Sequence, residues 1–143
     1  MASDAALLRR RTEALWLREK ALCKNYRDFF RCAWHQIEPT TPLSWNWHID
    51  VLCDELQVQG ERIAARQDKS YDIIINIPPR SLKSTIVSKL LVPYIWSRWP
   101  DHKFLTASHS GDLALEHCVD SRDVIQSAWY QRNWGDKFEL KAD

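Results

Sequence analysis

The spacing of apolar residues changes character along the chain. Between Ala5 and Ile37, the residues Leu8, Leu15, Leu22, Tyr26, Phe29, Ala33 and Ile37 recur at steps of seven, four and three, which places them on one helical face. This predicts a long amphipathic helix, or two with a bend. Arg9, Arg10, Arg11, Arg18, Glu19, Lys20 and Lys24 form its solvated side, with a contact of Arg9-Arg10-Arg11 to DNA or an acidic partner as the less favoured alternative. Pro39 and Pro42 end the pattern, because the residue before each proline is pushed out of the helical region. Ile49, Leu52, Cys53 and Leu56 then give a second helix from about Trp47 to Gln59, with Gly60 as its stop.

Beyond the polar stretch "RQDKS" the period shortens. Ile73-Ile74-Ile75-Asn76-Ile77 is a β-branched run bounded by turn residues, the pattern of a strand buried on both faces of a parallel sheet. Ile86, Val87, Leu90 and Leu91 return to helical spacing, and Pro93 stands where it should kink or end that helix. Lys103 to Ser108 reads as a second short strand. Ser110 then caps a helix over Gly111 to about Gln126, with Leu115, Cys118, Val119 and Ile125 as its buried positions. Strand, helix, strand, helix predicts an α/β domain with a parallel sheet over residues 67–143, after a helical region over 1–66.

Composition narrows the class. A chain of 143 residues, 45% apolar and 27% charged, is that of one globular domain. No apolar run approaches the roughly 18 residues of a membrane span. The N-terminus, with charges inside its apolar pattern, lacks the hydrophobic core of a secretory signal, so a cytoplasmic location is expected. A net charge of +1 leaves any contact with nucleic acid to local patches. The four cysteines are widely spaced, without a C-x-x-C pair or histidines at ligand spacing, and read as reduced thiols. The eight tryptophans read as core and interface packing, with stacking on bases as the alternative.

Candidate chemistry concentrates in "YDIIINIPPRSLKSTIVSKL", Tyr71 to Leu90. A phosphate loop of the form G-x-x-x-x-G-K-S/T joins a strand to a helix and uses glycines so that backbone N–H groups wrap the phosphates. Lys83-Ser84 fits the end of that pattern, but Ile77 and Leu82 stand where the two glycines belong. Context favours a phosphate: a helix whose first turn carries Lys83, Ser84 and Thr85, the positive end of its dipole, and a second cation at Arg80. Pro78 and Pro79 remove two donors and stiffen the loop. On these residues alone a phosphate site and an ordinary turn into a helix stand level.

The order and spacing of "WNWHIDVLCDEL", "IINIPPRSLKST", "FLTASHSGDLALEHCVDSRDVIQS" and Trp129-Tyr130 resemble the N-terminal part of the large terminase subunit, the ATP-driven motor that packages DNA into tailed-phage heads. The likeness covers roughly Phe29 to Tyr130. The family's loop commonly has the form P-P-R-x-x-K-S, with glycine or another residue before the lysine. The resemblance implies a P-loop ATPase fold using ATP and Mg²⁺, with Lys83 on the β- and γ-phosphates, Ser84 on the metal and Arg80 on the γ-phosphate. Pro79 and the backbone of Ser81, Leu82, Lys83, Ser84 and Thr85 would complete the cradle. Trp47-His48 lies where the family contacts adenine: Trp47 would stack on the base and His48 would bond its edge, or both would pack on the helix that follows. Ser108-His109-Ser110 resembles the family's S-x-S, and a helix cap explains it as well.

The implied partners are double-stranded viral DNA, the small terminase subunit, the portal protein and further copies of the chain, inside the bacterial host cell. Family members continue into a Walker B strand and a nuclease domain. The chain stops at Asp143, so the resemblance implies the first part of an ATPase domain, with slow hydrolysis by this chain alone. A non-enzymatic prophage remnant or interaction module is the alternative.

Overall fold

In the computed structural model, which describes residues 2–138, the chain forms α1 (Ala2–Leu22), α2 (Tyr26–Ile37), α3 (Trp47–Ala64), a π-helical segment (Thr85–Leu90) continuing into α4 (Leu91–Arg98), α5 (Gly111–Gln126) and α6 (Ala128–Trp134). No strand occurs among the described residues, which overturns the expected α/β parallel sheet. Residues 73–77 and 103–108, the two expected strands, are irregular. A strand exists only when its N–H and C=O groups meet a neighbour's, and no backbone hydrogen bond links either segment to another among the described residues. Side-chain exposure nevertheless alternates from Asp72 to Ile77, with Ile73, Ile75 and Ile77 half-buried between exposed neighbours. The period-two pattern is therefore expressed as facing without pairing.

The predicted N-terminal helix is two. Asn25 breaks it: its backbone is extended, and its side chain accepts from the Asp28 N–H at 2.9 Å to start α2. Tyr26, Phe29, Phe30, Ala33 and Trp34 are buried along α2 as the spacing requires, whereas Leu8, Leu15 and Leu22 on α1 are exposed. Helix α1 meets the rest of the fold near its C-terminal end, where Glu19 accepts from the Trp129 indole at 2.7 Å and Trp16 lies under Arg132.

Helix α3 runs through the expected stop at Gly60. A Cβ there would lie 2.4 Å from Ile95 Cδ1, so the glycine serves the close approach of α3 and α4. The helix ends instead at Arg66, which takes φ 54° and donates its N–H to Ile63, while the Gln67 N–H reaches Arg62. These paired bonds are the Schellman arrangement that closes helices with a left-handed residue.

Helix α2 is the centre of the core. Phe29 has ring centroids of Tyr94, Trp129 and Trp134 at 5.5–5.6 Å, and Tyr26 stacks on Tyr94 at 4.8 Å. Burial pushes the Tyr94 phenol and the Cys53 thiol up to about 12. The cysteines are free thiols: Cys23 and Cys53 buried, Cys32 half-buried, Cys118 exposed. Trp34, Trp129 and Trp134 are core residues, in line with the packing reading.

Pro93 does not end its helix, which runs on to Arg98, and the backbone before it is π-helical. A proline has no N–H to give to the carbonyls four and five residues back, those of Lys89 and Ser88. The buried Ser121 on α5 supplies the missing donor, its hydroxyl lying 2.9 Å from the Lys89 oxygen and 3.0 Å from that of Ser88. The Tyr26 hydroxyl likewise bonds the Ile86 carbonyl, and that of Tyr130 the Pro93 carbonyl at 2.8 Å. Helix α5 begins as predicted, with Ser110 accepting from the Leu113 N–H. Its buried residues are Ser121, Val124 and Ile125; Leu115, Cys118 and Val119 are exposed. No helix among the described residues is long and apolar enough to cross a membrane.

Candidate phosphate-binding loop

Residues 78–84 connect the irregular isoleucine segment to the long helix that begins at Lys83 and carries the π-helical turn. Three residues other than glycine have positive φ among those described: Arg66, Arg80 at 64° and Leu82 at 61°. Arg66 belongs to the helix cap described above. Arg80 and Leu82 are both in the loop, and Leu82 directly precedes the lysine.

A left-handed backbone costs a residue with a Cβ about 1–2 kcal/mol, so two within three residues must be held by their surroundings. Leu82 is half-buried and packs against the core. Its carbonyl accepts the Ile86 N–H at 2.9 Å, the first bond of the helix. From α3, His48 Nε2 lies 3.2 Å from the Ser81 carbonyl. A carbonyl oxygen only accepts, so Nε2 is the donor in this bond.

Where the left-handed Leu82 meets helical Lys83, successive N–H groups turn toward one side, the geometry of an anion-binding concavity. The helix adds its free N-terminal donors and positive dipole end. Lys83 and Arg80 are exposed, and neither is ion-paired among the described residues. Ser84 makes no capping bond with its hydroxyl. A cavity of about 230 Å³ adjoins Lys83 and Ser84, lined also by Ile73, Ile75, Val87 and Ser88. The donor set suits a phosphate chain: two cations, a hydroxyl and backbone N–H groups.

The second lysine of this helix is differently placed. Lys89 meets Asp120 at 2.5 Å and Glu116 at 3.6 Å. Burial pulls its ammonium down, but the bond and charge of Asp120, aided by Glu116, outweigh this and hold it above the ordinary lysine value. Lys89 is thus committed to α5, whereas Lys83 faces solvent.

Of the residues expected near a base, the fold brings His48 to the loop and leaves Trp47 72% exposed, its ring edge-on to His48 at 6.2 Å. Pro79 and Arg80 form an exposed turn, and Thr85 is half-buried in the first helical turn. Ser108 and His109 are exposed, and Ser110 is spent on the α5 cap. The sequence reading missed a larger cavity of about 420 Å³ between the 104–108 segment, α4 and α5. Its signal is the step of four in Ser88, Val92 and Trp96, which puts one stripe of the helix on that opening. Groups of three or more metal-ligating side chains are absent among the described residues.

No protein-family model matches the chain, and neither a curated protein nor a solved structure does.

Proposed function

We propose that the loop over Pro79 to Thr85 binds the phosphates of ATP together with Mg²⁺, and that the chain is the nucleotide-binding part of a DNA-packaging motor of the large terminase kind. The observation that carries this reading is the left-handed backbone of Leu82 immediately before Lys83-Ser84 at a helix start. Glycine would take that conformation freely. The loop has the shape that the missing glycine was expected to provide, at a cost that favours a functional over a purely connecting role. The reading rests on loop and helix, since an irregular segment precedes them in place of a strand.

Lys83 places a mobile point charge against the β- and γ-phosphates, and Arg80 offers a planar fork to the terminal one. The N–H groups of Ser81 to Thr85 bond the bridging side of the chain, and the Ser84 hydroxyl is the protein's ligand to Mg²⁺. Mg²⁺ held by Ser84 would supply neutralisation of the phosphate charge. The partners of this proposal are viral double-stranded DNA, the small terminase subunit, the portal and further copies of the chain.

A binding module without turnover is the second reading, favoured by a cavity lining that holds a cation and hydroxyls and no carboxylate. Titration of the chain with MgATP by calorimetry tests the site. The wild type should bind, and Lys83→Ala should weaken binding by roughly tenfold or more. No heat in the wild type, or equal affinity in the variant, would remove the proposal. Phosphate release measured on the same samples separates motor from binding module.

A further inference from the structure

We infer that His48 is a positioning residue that locks the Ser81–Leu82 peptide and thereby aims the Leu82 N–H, an inference that rests on reading the loop as a phosphate site. In a trans peptide the C=O and N–H of one unit point in opposite directions. Fixing the Ser81 carbonyl on His48 Nε2, 3.2 Å away, therefore turns the Leu82 N–H away from α3.

This peptide needs a lock. It joins two residues flanked by unfavourable backbone: Arg80 at φ 64° precedes it and Leu82 at φ 61° is part of it. Rotation of the peptide would carry Leu82 toward the negative φ that a leucine prefers, and would exchange the donor facing the ligand for a carbonyl oxygen that repels phosphate. The Ile86 bond does not prevent this, because it holds the Leu82 carbonyl, in the next peptide unit. Among the described residues, the His48 bond and the Ile86 bond are the hydrogen bonds that join residues 78–82 to other elements, and of the two only the His48 bond holds the Ser81–Leu82 peptide.

The anchor itself is rigid. His48 lies in the first turn of α3, one residue after the start capped by Asn46 and one before the fully buried Ile49. The same bond commits Nε2 to the loop backbone, and the role assigned to His48 concerns phosphate, whatever base is attached.

Inorganic tripolyphosphate with Mg²⁺, which carries no base, is the probe. Calorimetry on the wild type, His48→Ala, His48→Gln and Lys83→Ala is combined with amide exchange at Leu82 in the free proteins. His48→Ala should lose roughly five- to tenfold in affinity, the worth of one positioned hydrogen bond, and Leu82 exchange should quicken. His48→Gln places an amide N–H near the position of Nε2 and should recover most of both. His48→Asn, whose amide falls short, serves as the loss variant if His48→Ala does not fold. Tripolyphosphate binding that Lys83→Ala abolishes and His48→Ala leaves unchanged overturns the inference alone, as does failure of His48→Gln to rescue. Absence of binding by the wild type overturns the phosphate reading and the inference together.

Discussion

The aromatic core around α2 and the loop segments over 71–82 and 102–109 are built from comparable apolar material and meet opposite fates. Tyr26, Phe29 and Phe30 are fully buried, while Ile74 is 91% and Leu105 98% exposed. A helix satisfies its own backbone and needs only a surface to cover its apolar face. A β-patterned segment needs a neighbour's backbone before its side chains can be covered. Apolar pattern therefore matched burial along α2, where the backbone was self-sufficient and a surface was at hand, and did not in the two loop segments.

The comparison is broken most directly by mutation on each side. Phe29→Ala should cost about 3–5 kcal/mol in urea denaturation, because three aromatic rings at 5.5–5.6 Å lose their common partner. Leu105→Ala should change stability by less than about 0.5 kcal/mol. Similar losses at the two positions would mean that the 102–109 segment is covered in solution, contrary to its exposure here.

A smaller effect probes the seam between helix and proline. Ser121→Ala removes the hydroxyl that lies on the Ser88 and Lys89 carbonyls, the acceptors that Pro93 leaves without an N–H. The expected loss is about 1–2 kcal/mol, read as a lower denaturation midpoint with unchanged slope. A loss below about 0.3 kcal/mol would show that water or a local shift serves these carbonyls as well.

Much of this was legible in the sequence, and the misses share causes. The α2 stripe, the start of α3 at Trp47 and the Ser110 cap follow from local rules, since each needs only residues within one or two turns. That no sheet forms among the described residues was not legible, because the isoleucine run specifies a face and says nothing about whether a partner strand is present. Gly60 was misread for a related reason: a glycine that ends a helix and one that admits Ile95 look the same until the neighbour is known. On α1 the leucines keep helical spacing and remain exposed, so periodicity located the helix without locating its burial. In the loop, Lys83 and Ser84 were readable, whereas the left-handed state of Leu82 runs against its residue type. The His48 contact crosses 33 residues of sequence and has no local signal.

The finest distinction is between two arginines with nearly the same backbone. Arg66, at φ 54°, closes α3 and its conformation is fully used by the bonds to Ile63 and Arg62; Arg80, at φ 64°, has no such bond in the loop. Glycine at either position removes the Cβ conflict, offset in part by the greater freedom of the unfolded chain. Both Arg66→Gly and Arg80→Gly should therefore raise stability slightly, by about 0.5 kcal/mol. They should differ in binding. Arg66→Gly leaves MgATP affinity as it was, whereas Arg80→Gly removes a cation from the proposed site and weakens it. If both variants gain stability and neither changes affinity, the left-handed turn at Arg80 is structural like that at Arg66, and only Lys83 and the backbone remain to hold the phosphates.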